Sequence, residues 1–226
     1  MGYGASVLRA LTSAAAEAAA VISFRMHSQG PEEALIRRHF KRRTARFLDI
    51  GANDGKTLSN TFACMERGWS GVMVEPSPKA FVRLQATCEP YSDRVEVFNV
   101  AIGTEQGTAT LYESGEHLGT GDVALLSSLS EDETKRWTGD TFEGVEVRVA
   151  TFAMLTSLFP PPFNLISIDA EGMDLEILRQ IDLTACGCEA LIIEHEHSDS
   201  EAIKEYARGH GMRLHTRTHQ NFIFFR

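Results

Sequence analysis

Basic residues are in deficit in this chain, with 22 Lys and Arg against 31 Asp and Glu and a formal net charge of -9. A polyanionic partner would meet a repulsive average field, so nucleic acid is disfavoured. Cysteine is scarce as well. The four present, Cys64, Cys88, Cys186 and Cys188, do not form the dense framework of a small secreted domain, which points to a reducing compartment and a cytoplasmic location. A long unbroken apolar run is also missing. Residues 5–24 are Ala-rich and apolar, but Glu17 interrupts them and Arg9 is the only charge ahead of it. Neither a secretory signal nor a transmembrane segment is therefore expected. A docking helix suits the Ala, Leu and Glu content better. Met1 to Ser6 also match the loose N-myristoylation pattern of Gly2 followed by a hydroxyl residue, a reading ranked well below the helix.

What is present suffices for one sizeable core. With 226 residues, 43% hydrophobic and 23% charged, the chain is too short for two ordinary domains and a linker. We expect a helical N-terminal extension over 1–43 and one domain over 44–226. Arg37, Arg38, Lys41, Arg42, Arg43 and Arg46 crowd the junction. Their first reading is a solvated helix face and linker, and their second an anion- or partner-binding patch.

Short β-rich runs then alternate with helical stretches, the pattern of an α/β fold with a mainly parallel sheet. Strands are expected at 46–51, 71–75, 94–100, 164–169 and 190–194, with helices near 57–67, 77–88, 171–181 and 199–209. The runs 212–216 and 221–225 flank a polar turn and read as a terminal hairpin that adds antiparallel pairing at the sheet edge. Two extra strands, 109–112 and 145–149, bracket a polar, Gly-, Ser- and acid-rich stretch. That insertion, 113–144, is too long for a plain connection and is the candidate substrate cover.

In open α/β sheets ligands bind beyond the carboxyl ends of the strands, where strand order reverses. Here those ends are acidic. The first strand runs into Asp49-Ile50-Gly51-Ala52-Asn53-Asp54-Gly55, the second ends at Glu75, the fourth at Asp169 and Glu171, and the fifth at Glu194. Gly51 and Gly55 would let backbone turn tightly against a ligand. A pyrophosphate loop would suffer from Asp54 beside Asp49, so the acids argue for a cationic ligand. S-adenosylmethionine carries a sulfonium and an ammonium without phosphate, and its ribose diol suits a carboxylate at the second strand end. Glu75, about 20 residues beyond Gly55, is placed for that role; helix capping is its blander reading.

Phe47 to Gly55, Val74-Glu75-Pro76-Ser77, Asn99-Val100-Ala101-Ile102-Gly103, Ser127-Ser128-Leu129 and Ile168-Asp169-Ala170-Glu171-Gly172 together resemble the FkbM-like family of S-adenosylmethionine-dependent methyltransferases, over roughly residues 44–225. The resemblance implies a Rossmann-like class I methyltransferase fold: a mainly parallel seven-stranded sheet with a reversed terminal strand and helices on both faces. It implies Asp49, Gly51, Asn53, Asp54 and Gly55 around the methionine part of the cofactor, Glu75 on its ribose and Ala101 by the adenine. Where the family more often has Asp-Val-Glu-Gly-x-Glu, this chain has Asp169-Ala170-Glu171-Gly172-Met173-Asp174, a mild departure.

Methyl transfer from a sulfonium needs mainly orientation, with a base for a hydroxyl or amine acceptor. The candidates are Asp169, Glu194 and His195. Asp169 follows the buried-strand run Leu165 to Ile168 and should also face the cofactor. His195 stands in Glu194-His195-Glu196-His197, where a solvated turn is as natural, and Glu171 would begin the next helix. Mg2+ on oxygen ligands at adjacent strand ends is a rival use of the acids, possible but not favoured. Zinc on Cys186, Cys188, His195 and His197 lacks standard spacing, so no metal ligand is assigned. Trp137, Ser127 and Ser128 could touch substrate or simply anchor and turn the chain, while Phe222, Phe224 and Phe225 read as packing.

O-methylation of a sugar or natural-product hydroxyl is the specific expectation that the resemblance carries. An NAD-dependent oxidoreductase would share the ribose carboxylate but not the acidic first loop. A nucleic-acid methyltransferase would rest on the basic run alone, without an Asn/Asp-Pro-Pro-aromatic segment. A non-catalytic cofactor-binding protein is the remaining alternative.

Overall fold

A computed structural model of the chain describes residues 27–115, 124, 127–129, 134–135, 141–196 and 198–226. The Ala-rich segment 5–24, the myristoylation pattern, Trp137, His197 and most of the 113–144 insertion lie outside the described residues.

The chain enters through helix α1 (Glu32–Phe40), whose first turn carries Glu32 and Glu33 and whose last carries Arg37, Arg38 and His39, charges that complement the helix dipole. Five strands then run parallel: β1 (Arg46–Ile50), β2 (Ser70–Val74), β3 (Val95–Phe98), β7 (Leu165–Ile168) and β8 (Ala190–Glu194). The last strand, β10 (Asn221–Phe225), is antiparallel to β8 and to its hairpin partner β9 (Arg213–Arg217). The order is β3-β2-β1-β7-β8-β10-β9, so the connections reverse direction between β1 and β7. The expected mainly parallel seven-stranded sheet with a reversed final strand is what the chain forms. The hairpin divides by composition. Asn221–Phe225 is buried throughout and sits inside, whereas the polar Arg213–Arg217 is largely exposed and serves as the solvent-facing edge.

Alternation along the strands feeds two cores. Phe47, Met73, Leu165, Ile192 and Ile223 pack with Ile36 and Phe40 of α1, Met65 of α2 (Phe62–Glu66) and Leu84 of α3 (Pro78–Cys88). Leu48, Val74, Ile166, Ile193, Phe222 and Phe224 pack on the opposite face with Phe152 of α4 (Phe152–Leu158), Leu178 of α5 (Asp174–Leu178) and Ile203 of α6 (Ser200–Gly209). Helices thus cover both faces, and α1 shares the core of the segment that follows it. The basic run keeps Arg37, Arg38, Lys41 and Arg42 exposed, with Arg43 donating twice to Glu189 at 3.1 and 2.6 Å.

A small second sheet closes one side of the carboxyl edge. β4 (Ala101–Ile102) runs parallel to β6 (Phe142–Ala150), and β5 (Gly107–Ser114) runs antiparallel to it. The two extra strands are longer than their apolar runs suggest.

Two helices are shorter than expected, for local reasons. The span 57–67 is helical only from Phe62, because Asp54 accepts the amides of Lys56 and Thr57, Ser59 accepts those of Thr61 and Phe62, and Leu58 has φ +56°. Side chains that capture nearby amides offer the backbone an alternative to helix. The span 171–181 is helical only over α5, since Glu171 and Gly172 adopt φ +45° and +100°. Helix α4, which no strong periodicity announces, begins where the Thr151 hydroxyl accepts the Met154 amide.

Candidate active site

A cleft of about 430 Å³ opens along the carboxyl ends of β2, β1, β7 and β8, at the reversal point where α/β folds place ligands. Its floor is set by the turn after β1. The amides of Gly51 and Ala52 donate to the Val74 carbonyl at 2.9 and 3.1 Å. Gly51 has φ +84°, and a Cβ there would lie 1.7 Å from the Asp169 carbonyl oxygen. Only glycine lets the β1 turn lie this close to the end of β7.

Glu75 ends β2, 5% exposed. Its Oε2 accepts the Asn53 amide and its Oε1 the Ser77 amide, each at 2.8 Å. Burial pushes its carboxyl up to about 7, against the opposing pull of those two amides. Each oxygen keeps a second lone pair for a ligand hydroxyl. Asn53, at φ +48°, reaches the other way, its Nδ2 donating to the Ala124 carbonyl at 3.1 Å. That bond ties the β1 turn to the insertion, of which Ala124, Ser127 and Leu129 also line the cleft.

Asp49 sits inside β1, accepts the Thr61 hydroxyl and is pushed up to about 6, mainly by burial and further by nearby Asp169. Its strand neighbour across the sheet is Ser167, whose hydroxyl accepts from Asn60 Nδ2 at 3.1 Å. Asn60 Oδ1 has no partner among the described residues.

At the far end, Asp169, Glu171 and Glu194 bring carboxylate oxygens within 4.8 Å of one another. Burial raises the Asp169 carboxyl to about 6. Burial raises Glu194 strongly too, reinforced by Asp169, Glu171, Asp174 and Glu196. Asp174 braces this corner from beneath. Fully buried, it accepts the Ala170 amide at 2.9 Å and the Gly172 amide at 3.2 Å, and Ser128 Oγ donates to the Glu171 carbonyl at 2.6 Å.

Of the residues expected at the site, Asp49, Gly51, Asn53, Glu75, Ala101, Asp169 and Glu194 line the cleft. Asp54 and Gly55 do not. Asp54 spends its carboxylate on the Lys56 and Thr57 amides and the Thr57 hydroxyl, and Gly55 packs against Leu84. His195 is buried away from the cleft, its ring stacked on Phe222 at 4.1 Å. Successive strand residues point to opposite faces, which separates it from Glu194. The zinc set does not assemble among the described residues. Cys188 is raised by burial to about 12 and Cys186 to about 11, unlike metal-binding thiolates. Phe222, Phe224 and Phe225 are packing residues of β10.

Sequence reasoning missed Asn60, Ser167, Gln29 and Gln220 on the cleft and Asp174 beneath it. Five carboxylates line the cleft and, among the described residues that line it, no Lys, Arg or His.

A sequence profile for the methyltransferase FkbM domain matches residues 49–220. No curated protein matches in sequence. The methyltransferase FkbM from Methylobacillus flagellatus KT superposes with TM-score 0.52 at 16% identity, over 81% of this chain and 44% of its own. This chain thus spans less than half the length of that protein, and the likeness is one of fold. A precorrin-6y C5,15-methyltransferase from Geobacter metallireducens GS-15 matches at TM-score 0.48 and 11% identity, over 88% of this chain and 89% of its own. A TehB-like SAM-dependent methyltransferase from Corynebacterium glutamicum ATCC 13032 matches at 0.45 and 11%, over 96% and 99%.

Proposed function

The chain belongs to the methyltransferase FkbM domain family, and from that membership we propose that it transfers a methyl group from S-adenosylmethionine to a hydroxyl of a small molecule, a sugar or natural product. The observation that carries the reading is the charge of the cleft: five carboxylates and no cationic side chain among its described lining residues. Such a lining favours a sulfonium and an ammonium and repels the pyrophosphate of NAD.

The residues present fit that donor. Glu75 has lone pairs left for a ribose diol after accepting two amides. Asp49, Gly51 and Asn53 form the wall where a cationic methionine portion would lie, and Ala101, Ile102 and Leu111 give an apolar surface for a flat base. Asp54 and Gly55 support this wall from behind by shaping the turn. When bound, the donor would supply an activated methyl group on a positively charged sulfur, which then leaves as a neutral thioether. Asp169 stands at the acceptor end to receive the hydroxyl proton, with Glu194 beside it on the cleft wall. Burial raises the Asp169 carboxyl to about 6, which suits a general base working near neutral pH. Orientation of acceptor against donor contributes roughly 7–11 kcal/mol in favourable cases.

Thermal unfolding with S-adenosylhomocysteine and with NAD tests the reading. At a hundredfold excess over Kd the first should raise the melting temperature by roughly 5–10 °C, and Glu75→Ala should abolish the shift. A shift with NAD instead would overturn it. A panel of sugar and natural-product hydroxyls, assayed by transfer of labelled methyl, then identifies the acceptor.

A further inference from the structure

We propose that Asp169, Glu171 and Glu194 together hold a hard divalent cation, of the Mg2+, Mn2+ or Ca2+ class, at the acceptor end of the cleft. The three side chains come from the ends of adjacent strands, Asp169 and Glu171 following β7 and Glu194 closing β8. Their oxygens lie within 4.8 Å of one another. Oxygens on opposite sides of a cation stand about 4.2 Å apart for Mg2+ and about 4.8 Å for Ca2+, twice the metal–oxygen distance. The set therefore closes on a cation with small side-chain rotations.

A separate observation points to a ligand. Glu194 is 4% exposed, lines the cleft, and its Oε2 is buried without a hydrogen-bond partner among the described residues. Buried carboxylate oxygens are ordinarily satisfied by a donor or a metal. Contrast Asp174, whose two oxygens take the Ala170 and Gly172 amides, and Glu75, whose two take Asn53 and Ser77. Those carboxylates have both oxygens engaged by backbone amides, whereas Glu194, which also lines the cleft, has an oxygen that no donor engages among the described residues. All-oxygen, all-anionic coordination selects hard cations over zinc or copper. Glu75 and Asp49 lie toward β2 and β1, so the cation would not compete with a ribose diol. Three protein ligands leave places for water and for the acceptor's oxygen, whose proton the cation would loosen.

The proposal rests on the proposed function for its purpose but not for its test. The full chain is titrated with Mn2+ and free ion is read by electron paramagnetic resonance, with no donor present. One saturable site is expected, with affinity reduced at least tenfold in Glu194→Gln and in Glu171→Gln. Circular dichroism and urea unfolding verify that each variant is folded. Absence of saturable Mn2+ binding in the unaltered chain, or equal binding in both folded variants, overturns the cation site. Loss of S-adenosylhomocysteine binding by the unaltered chain with the Mn2+ site intact would instead sink the reading of the cofactor half and uphold the cation site.

Discussion

Glu75 shows how burial of one side chain couples its titration to stability. Its folded-state value of about 7 lies above the ordinary 4.5. Between those values the folded chain keeps a proton that the unfolded chain has released, so the ligand-free protein loses stability as pH rises from about 4.5 to about 7. Glu75→Gln removes that titration. Urea unfolding at about pH 5 and about pH 7.5 should show a smaller fall in the variant, by at most about 3 kcal/mol. Asp174 acts differently, holding the turn that carries Asp169 and Glu171. Asp174→Ala orphans two half-buried amides, and we expect a loss of roughly 2 kcal/mol by the same measurement, together with weaker Mn2+ binding. Glu75 was legible in the sequence because strand end and spacing determine its place. Asp174 was not, because the amides it accepts become available only once Glu171 and Gly172 turn left-handed. His195 illustrates the opposite error: adjacent to Glu194 in sequence, it lies on the other face of the strand end.

Helix α1 carries the main lesson among the elements. Its polar first and last turns and its basic run read as a linker, and the exposed Arg37 and Arg38 agree with that. Yet Ile36 and Phe40 are each 3% exposed, and Phe40 meets Trp69 edge-on at 4.7 Å. Two buried apolar residues in a 9-residue helix are too weak a period to identify its partner. Phe40→Ala should therefore destabilise the whole domain by about 3–5 kcal/mol, measured by urea unfolding; a loss below about 1 kcal/mol would show α1 to be dispensable. The parallel strands were legible because burial on both faces demands unbroken apolar runs, as in Leu165 to Ile168. Helix starts near 57 and 171 were not, since capping side chains and left-handed residues override helical propensity there.

Across the whole molecule, one sheet supports both cores, and α1, α2 and α3 cannot release one face without exposing strands that also hold the other. Scanning calorimetry should accordingly show one cooperative transition for the described domain, with calorimetric and van't Hoff enthalpies in agreement. Two resolved transitions would mean that the cores are separable. Composition and pattern by themselves determined the α/β class, the strand sequence, the antiparallel terminal hairpin and the acidic carboxyl edge, because strand burial and local turn chemistry are written in neighbouring residues. Only the tertiary structure decided which acids share a space. Asp169, Glu171 and Glu194 meet because β7 and β8 pair in register, Asp54 turns away to cap its own loop, and His195 leaves the cleft. Such choices depend on the face each backbone position presents, and that is set by contacts between residues far apart in the chain.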